Sequence, residues 1–113
     1  LDNNASPTWV EVKAVSWCVA GGVGQFPDAV SVRARKHVHE LAALASSGGR
    51  GALVFCAFHS RIERIAAALE VDPEYAEALS KAVQAGVEVY GLGVNISPQG
   101  LRATLPLSVE GLD

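Results

Sequence analysis

Glu11 and Lys13 stand two residues apart in Trp9-Val10-Glu11-Val12-Lys13-Ala14-Val15, a run whose Val and Trp content is that of a strand. Side chains alternate along a strand, so Glu11 and Lys13 share one face while Val10, Val12 and Ala14 line the other. A carboxylate beside an ammonium is the pairing that many metal-dependent nucleases use. The carboxylate fixes a divalent cation and the ammonium orients or stabilises the attacking hydroxide; one carboxylate beside a lysine would hold Mg²⁺ poorly, since that ion wants near-octahedral oxygen ligation. On its own the triplet is a weak signal, because a solvated strand face carries Glu and Lys as an ordinary surface ion pair just as readily.

A second polar set follows, where Phe26-Pro27-Asp28-Ala29-Val30 leads into the basic stretch from Ser31 to Leu41. Asp28, after a proline and before a helix, is first a turn or capping group and second a metal-binding acid that would join Glu11. Residues of a helix lie about 100° apart, which puts Arg33, Lys36, His37 and Glu40 on one arc and Ala34, Val38, Leu41 and Ala45 on a neighbouring stripe. The apolar stripe is expected to pack on a sheet. The polar arc has two readings: Arg33, Lys36 and His37 contact DNA phosphates at the mouth of a cleft, or they form a solvated helix face with Glu40 as internal partner. His39 points away from that arc and is expected to be exposed. His59 is either close to a cleft or a satisfied polar group, and Asp72 with Tyr75 is expected to anchor a helix by capping and packing.

Several elements must hold these groups in place. Asn3 to Pro7 has turn composition, Trp9 to Cys18 reads as a strand, and Gly21, Gly22 and Gly24 make a loop. Ser31 is a cap for a helix running to about Ser46, which Gly48 and Gly49 end. Gly51 to Phe58 suits a buried central strand, and Ile62 to Leu69 a short helix or an irregular connection. Asp72-Pro73 opens another helix with Ala76, Leu79, Ala82 and Val83 as its buried face. Val87 to Ile96 is then a strand, Pro98-Gln99-Gly100 a turn, and Leu101 to Val109 an edge-like strand, since it carries Pro106. The order predicts an α/β layer fold, a mixed sheet with flanking helices.

The 113 residues suit one small domain, and half of them are apolar, enough for a core. A formal charge of −3 excludes a uniformly basic nucleic-acid binder, so affinity for phosphate must come from a local patch such as the one around Arg33. Cys18 and Cys56 match no metal-ligand spacing, and reduced thiols in a cytoplasmic protein are the default. No apolar run reaches the length of a membrane span, and the polar start lacks the features of a signal peptide. A chain that begins without Met, in a turn-like stretch directly before a strong strand, is expected to have lost or omitted sequence upstream.

Trp9-Val10-Glu11-Val12-Lys13, Phe26-Pro27-Asp28-Ala29-Val30, Arg33, Lys36-His37, Glu40-Leu41, Leu53-Val54-Phe55, Asp72-Pro73-Glu74-Tyr75 and Gly86-Val87-Glu88-Val89 together resemble the C-terminal domain of the sugar fermentation stimulation protein A family. The resemblance runs from about Trp9 to Val109, and the blocks around Asp28 and Asp72 are more specific than the Glu-x-Lys triplet. It implies a PD-(D/E)xK, restriction-endonuclease-like fold, which in that family follows an N-terminal OB-like domain. It also implies largely sequence-nonspecific association with DNA and a link to regulation of sugar metabolism. Carried over residue by residue, Glu11 becomes the acid and Lys13 the base of the E-x-K element. An Asp on a preceding strand would complete the metal site, and Asp2 lies in what reads as a turn, so the chain is expected to be a partial domain, inefficient as a nuclease by itself. Val32 and Ala34 depart from the family pattern, which usually has an acidic or polar residue and a Gly there. Two readings from other classes stand beside this one: a catalytically inactive regulatory or structural remnant of a nuclease, and an enzyme of a small phosphorylated metabolite.

Overall fold

The computed structural model describes residues 8–58 and 60–112, so the predicted turn at Asn3 to Pro7, Asp2 and His59 lie outside the described residues. Nine elements follow one another: β1 (Thr8–Val15), β2 (Trp17–Val19), β3 (Val23–Phe26), α1 (Val32–Ser46), β4 (Arg50–Ala57), β5 (Arg64–Ala67), α2 (Pro73–Gln84), β6 (Glu88–Ser97) and β7 (Gly100–Glu110). The strands form one mixed sheet in the order β1-β4-β6-β7-β5-β3-β2. Pairing is parallel except between β6 and β7 and between β2 and β3. The mixed α/β architecture expected from the sequence is therefore present.

β1 and β2 occupy opposite ends of this order, yet only Ser16 separates them. One residue spans less than about 4 Å, so the sheet must curl until its two ends meet. The expected single strand from Trp9 to Cys18 is thus two strands broken at Ser16, and the expected glycine loop is a hairpin. Gly21 and Gly22 take φ of +83° and +76° at its tip, a backbone region that costs glycine little. Gly24 lies within β3, where a Cβ would sit 2.8 Å from Ile62 and 3.0 Å from Val15. The curl closes on that missing side chain.

Two further expectations are corrected. Ile62 to Leu69 contains β5, bonded to β3 on one side and β7 on the other. β7 is interior to the sheet order, although its pairing with β5 covers only Ser108 to Glu110. Pro106 sits before that stretch, beside a register shift between Leu92 and Val94 of β6, so its missing N–H interrupts little of the ladder.

α1 starts as predicted: the Ser31 hydroxyl accepts from the Ala34 N–H at 3.0 Å. Asp72 caps α2 by accepting from the Tyr75 N–H at 3.0 Å, and its other carboxylate oxygen accepts from the Ser31 N–H, also at 3.0 Å. One buried carboxylate therefore fixes the starts of both helices. Arg35 and Glu74 add an ion pair between the same two first turns. Ala34, Val38 and Leu41 of α1 pack with Leu53 and Phe55 of β4 and with Tyr75, Ala78, Leu79 and Ala82 of α2. α2 thus buries Tyr75 and Ala78 in addition to the expected Leu79 and Ala82, with Ala76 and Val83 half-buried. The Phe26 ring lies with its centroid 5.5 Å from those of both Phe55, tilted, and Tyr75, edge-on. The opposite face of the sheet is open, with Val10 52% and Val12 63% exposed.

Candidate functional site

β1 and β4 are in parallel register, with Glu11 opposite Leu53 and Lys13 opposite Phe55. Register partners point to the same face of a sheet, and Leu53 and Phe55 are buried beneath α1. Glu11 and Lys13 therefore both face α1. The contact is direct: Lys13 Nζ lies 3.0 Å from His37 Nδ1. An ammonium has only donors, so in this contact Lys13 donates and Nδ1 accepts.

One turn further along α1, Glu40 joins the same side. His37, Glu40, Leu41 and Leu44 follow the i, i+3, i+4, i+7 spacing that stacks side chains on one helix face. With Trp9 and Glu11 they line a cavity of about 240 Å³. Trp9 donates from Nε1 to Glu11 Oε1 at 3.4 Å, and the residue is 60% exposed at the rim. The cavity is thus walled by an indole and two leucines, with two carboxylates and an imidazole set among them.

Arg33 and Lys36 are exposed on the turn of α1 preceding His37. No acidic residue lies within the first turn of α1 itself, and while the Asp72 and Glu74 carboxylates compensate the helix start and Arg35, Arg33 and Lys36 are left as exposed cations. Asp28 is exposed and borders a different small cavity, with Ala14, Ser16, Trp17, Gln25 and Phe26. It does not share the hollow that contains Glu11. His39 is exposed as expected, beside Arg35, Glu74, Glu77 and Lys81 on the α2 side.

Among the described residues no group of three or more His, Cys, Asp or Glu side chains could hold a metal ion. Mg²⁺ demands near-octahedral oxygen ligation, and the oxygens of Glu11 and Glu40 do not supply it. The residues described here do not fit Mg²⁺. Cys18 and Cys56 are both free thiols, and no helix among the described residues is long and apolar enough to cross a membrane.

On the far face of the sheet lies a separate polar cluster. Arg50 donates to both oxygens of Glu88, and the Tyr90 hydroxyl donates to Oε1. The hydrogen bond from Arg50, then the one from Tyr90, lowers the Glu88 carboxyl from 4.5 to about 2.

Sequence reasoning paired Glu11 with Lys13 and gathered Arg33, Lys36, His37 and Glu40 onto one arc. It missed Trp9, Leu41 and Leu44 as cavity walls and His37 as the partner of Lys13. Trp9 could have been found from its parity, since it shares the odd-numbered face with Glu11 and Lys13.

Comparison with known proteins yields a concordant set. The family model described as the sugar fermentation stimulation protein RE domain matches residues 1–100. A sugar fermentation stimulation protein homolog of Hahella chejuensis is 45% identical over 105 residues, covering 93% of this chain and 43% of that protein. The homolog of Pseudomonas paraeruginosa is 43% identical over 111 residues, covering 97% and 47%. Among solved structures, SfsA of Pyrococcus furiosus in complex with Ca²⁺ superposes with a TM-score of 0.82 at 33% identity, over 89% of this chain and 44% of that one. The chain spans less than half the length of these relatives.

Proposed function

Since the chain belongs to the sugar fermentation stimulation protein family, we propose that it is a DNA-associating domain of nuclease-like build that holds backbone phosphates without reading sequence. The role in regulating sugar metabolism is part of the same proposal. The observation that carries it is the 3.0 Å contact between Lys13 and His37, which joins the Glu-x-Lys strand to the basic helix in one hollow. Lys13, Arg33 and Lys36 supply the cations, and such contacts position a protein on DNA without carrying sequence information. Glu11 and Lys13 are the pair to which we assign hydrolysis, and only in company with acidic groups beyond the described residues. The absence of a metal-binding cluster among the described residues favours a second reading, a regulatory module of nuclease fold that does not cleave.

Salt dependence tests the binding. Affinity for duplex DNA should fall steeply with salt as counterions are released, and Arg33→Ala with Lys36→Ala should lower the log–log slope by about 2, roughly one per phosphate contact. An unchanged slope in the double variant removes the phosphate role of this helix. Cleavage separates the two readings in a protein that carries those further acidic groups: with Mg²⁺ or Mn²⁺ it should cut DNA, and Glu11→Ala or Lys13→Ala should abolish the cutting, on the first reading, whereas on the second it should leave DNA intact while retention persists.

A further inference from the structure

β6 and β7 outrun the rest of the sheet. Gly93 of β6 lies opposite Ala57, the last residue of β4, and β5 meets β7 only at Ser108, Val109 and Glu110. Residues 94–97 and 100–103 therefore pair with one another alone. At about 3.3 Å per residue this two-stranded ribbon reaches roughly 13 Å past the end of β4. Folding gains little from it, because a bare hairpin is marginal in water and Asn95, Ser97, Leu101, Arg102 and Ala103 are all exposed. The ribbon leaves the sheet at the end where α1 begins. His37 meets Lys13 late in β1, while Leu44, two turns further along α1, shares a cavity with Trp9 early in β1. α1 thus runs against β1, β4 and β6, and its first turn, with Arg33, lies at their C-terminal ends. Side-chain parity agrees. Gly91 faces the core, since a Cβ there would meet Ile65 and Val109, and the extra residue at the register shift belongs to β7. Alternation along β6 then carries Asn95 and Ser97 onto the face that α1 covers, with Arg102 opposite Asn95.

We propose that this ribbon is an arm that enters the major groove of duplex DNA whose phosphates the start of α1 holds; the proposal rests on the DNA-associating reading above. The major groove, about 12 Å wide, admits a two-stranded ribbon. The minor groove, about 6 Å wide, does not once side chains are added to strands about 4.8 Å apart. Charge fits as well. In a chain of net charge −3, no acidic residue stands between Glu88 and Glu110, and Arg102 has no ion-pair partner among the described residues. Arg102 meets a phosphate on the groove wall, and Asn95, Ser97 and Gln99 donate to neighbouring phosphate oxygens, contacts that position a protein without reading bases. What the arm senses is the width of the groove. It therefore favours B-form DNA over an RNA duplex, whose major groove is deep and narrow, and over a single strand, which has no groove.

The test is fluorescence anisotropy of the full chain with a labelled DNA duplex, an RNA duplex of the same sequence and length, and the single DNA strand. The DNA duplex should bind about tenfold more tightly than the RNA duplex, the scale of one hydrogen bond to a charged group. Deleting Asn95, Ile96, Leu101 and Arg102 removes two facing pairs, keeps the turn and shortens the arm by about 7 Å. That variant should lose the preference for the DNA duplex and bind the RNA duplex and the single strand as before. Arg102→Ala changes one exposed side chain. It should lower the log–log salt slope on the DNA duplex by about 1 and leave the slope on the RNA duplex unchanged, with Arg102→Lys restoring it. Equal affinities of the unaltered protein for the two duplexes, or an Arg102→Ala effect of the same size on both, overturns the arm, while salt-dependent DNA binding keeps the reading it rests on. Failure of the unaltered protein to bind any of the three overturns both.

Discussion

Asp72 accepts hydrogen bonds from two different helix starts, and substituting it separates that double role from ordinary capping. Its Oδ1 takes the Tyr75 N–H of α2, and its Oδ2 the Ser31 N–H just before α1, each at 3.0 Å. The side chain is buried, 2% exposed, so water cannot replace it. Asp72→Ala leaves two donors unmet, each at about 1.5 kcal/mol for a hydrogen bond to a charged group, or about 3 kcal/mol together. Asp72→Asn behaves differently. Asn is as good an N-cap as Asp, but its single carbonyl serves one N–H and its amide group turns a donor towards the other, so about half the loss remains. With 113 residues the unfolding entropy is about 0.24 kcal/mol/K, and each kcal/mol moves the midpoint by about 4 °C. Thermal unfolding followed by circular dichroism should show a drop of about 12 °C for Asp72→Ala and about 6 °C for Asp72→Asn. An Asp72→Asn midpoint equal to that of the unaltered protein refutes the double role and leaves a simple cap of α2.

Two predictions concern groups away from the hollow. The Tyr75 hydroxyl is fully buried without a hydrogen-bond partner among the described residues, and burial first, then the charge of Asp72, raises its pKa. Tyr75→Phe removes an unmet donor, so chemical denaturation should show it equal to or up to about 2 kcal/mol more stable than the unaltered protein; a clear loss would reveal a partner for that oxygen. Glu88, lowered from 4.5 to about 2, stabilises the folded state above its unfolded value and loses that stabilisation as pH falls through the folded one. Midpoints measured across this window should therefore fall more steeply for the unaltered protein than for Glu88→Gln, and parallel curves would refute the linkage.

What the sequence disclosed was local, and what it hid was closure. Ser31 at the start of α1, Asp72-Pro73 at the start of α2 and the stripe Ala34, Val38, Leu41 are readable because capping and periodicity act within a few residues. β3 and β5 were not readable, because each has four residues and owes its extended form to partners distant in sequence. The site lies between these cases. Alternation alone puts Glu11 and Lys13 on one face, and periodicity alone gathers His37 with Glu40, but only the parallel register of β1 with β4 under α1 brings the two sets together. Asp72 ties Ser31 to α2, which sets where α1 begins and therefore how far along it His37 stands from Lys13. The geometry of the hollow thus depends on a carboxylate in another part of the fold, a dependence that no local pattern around Glu11 could reveal.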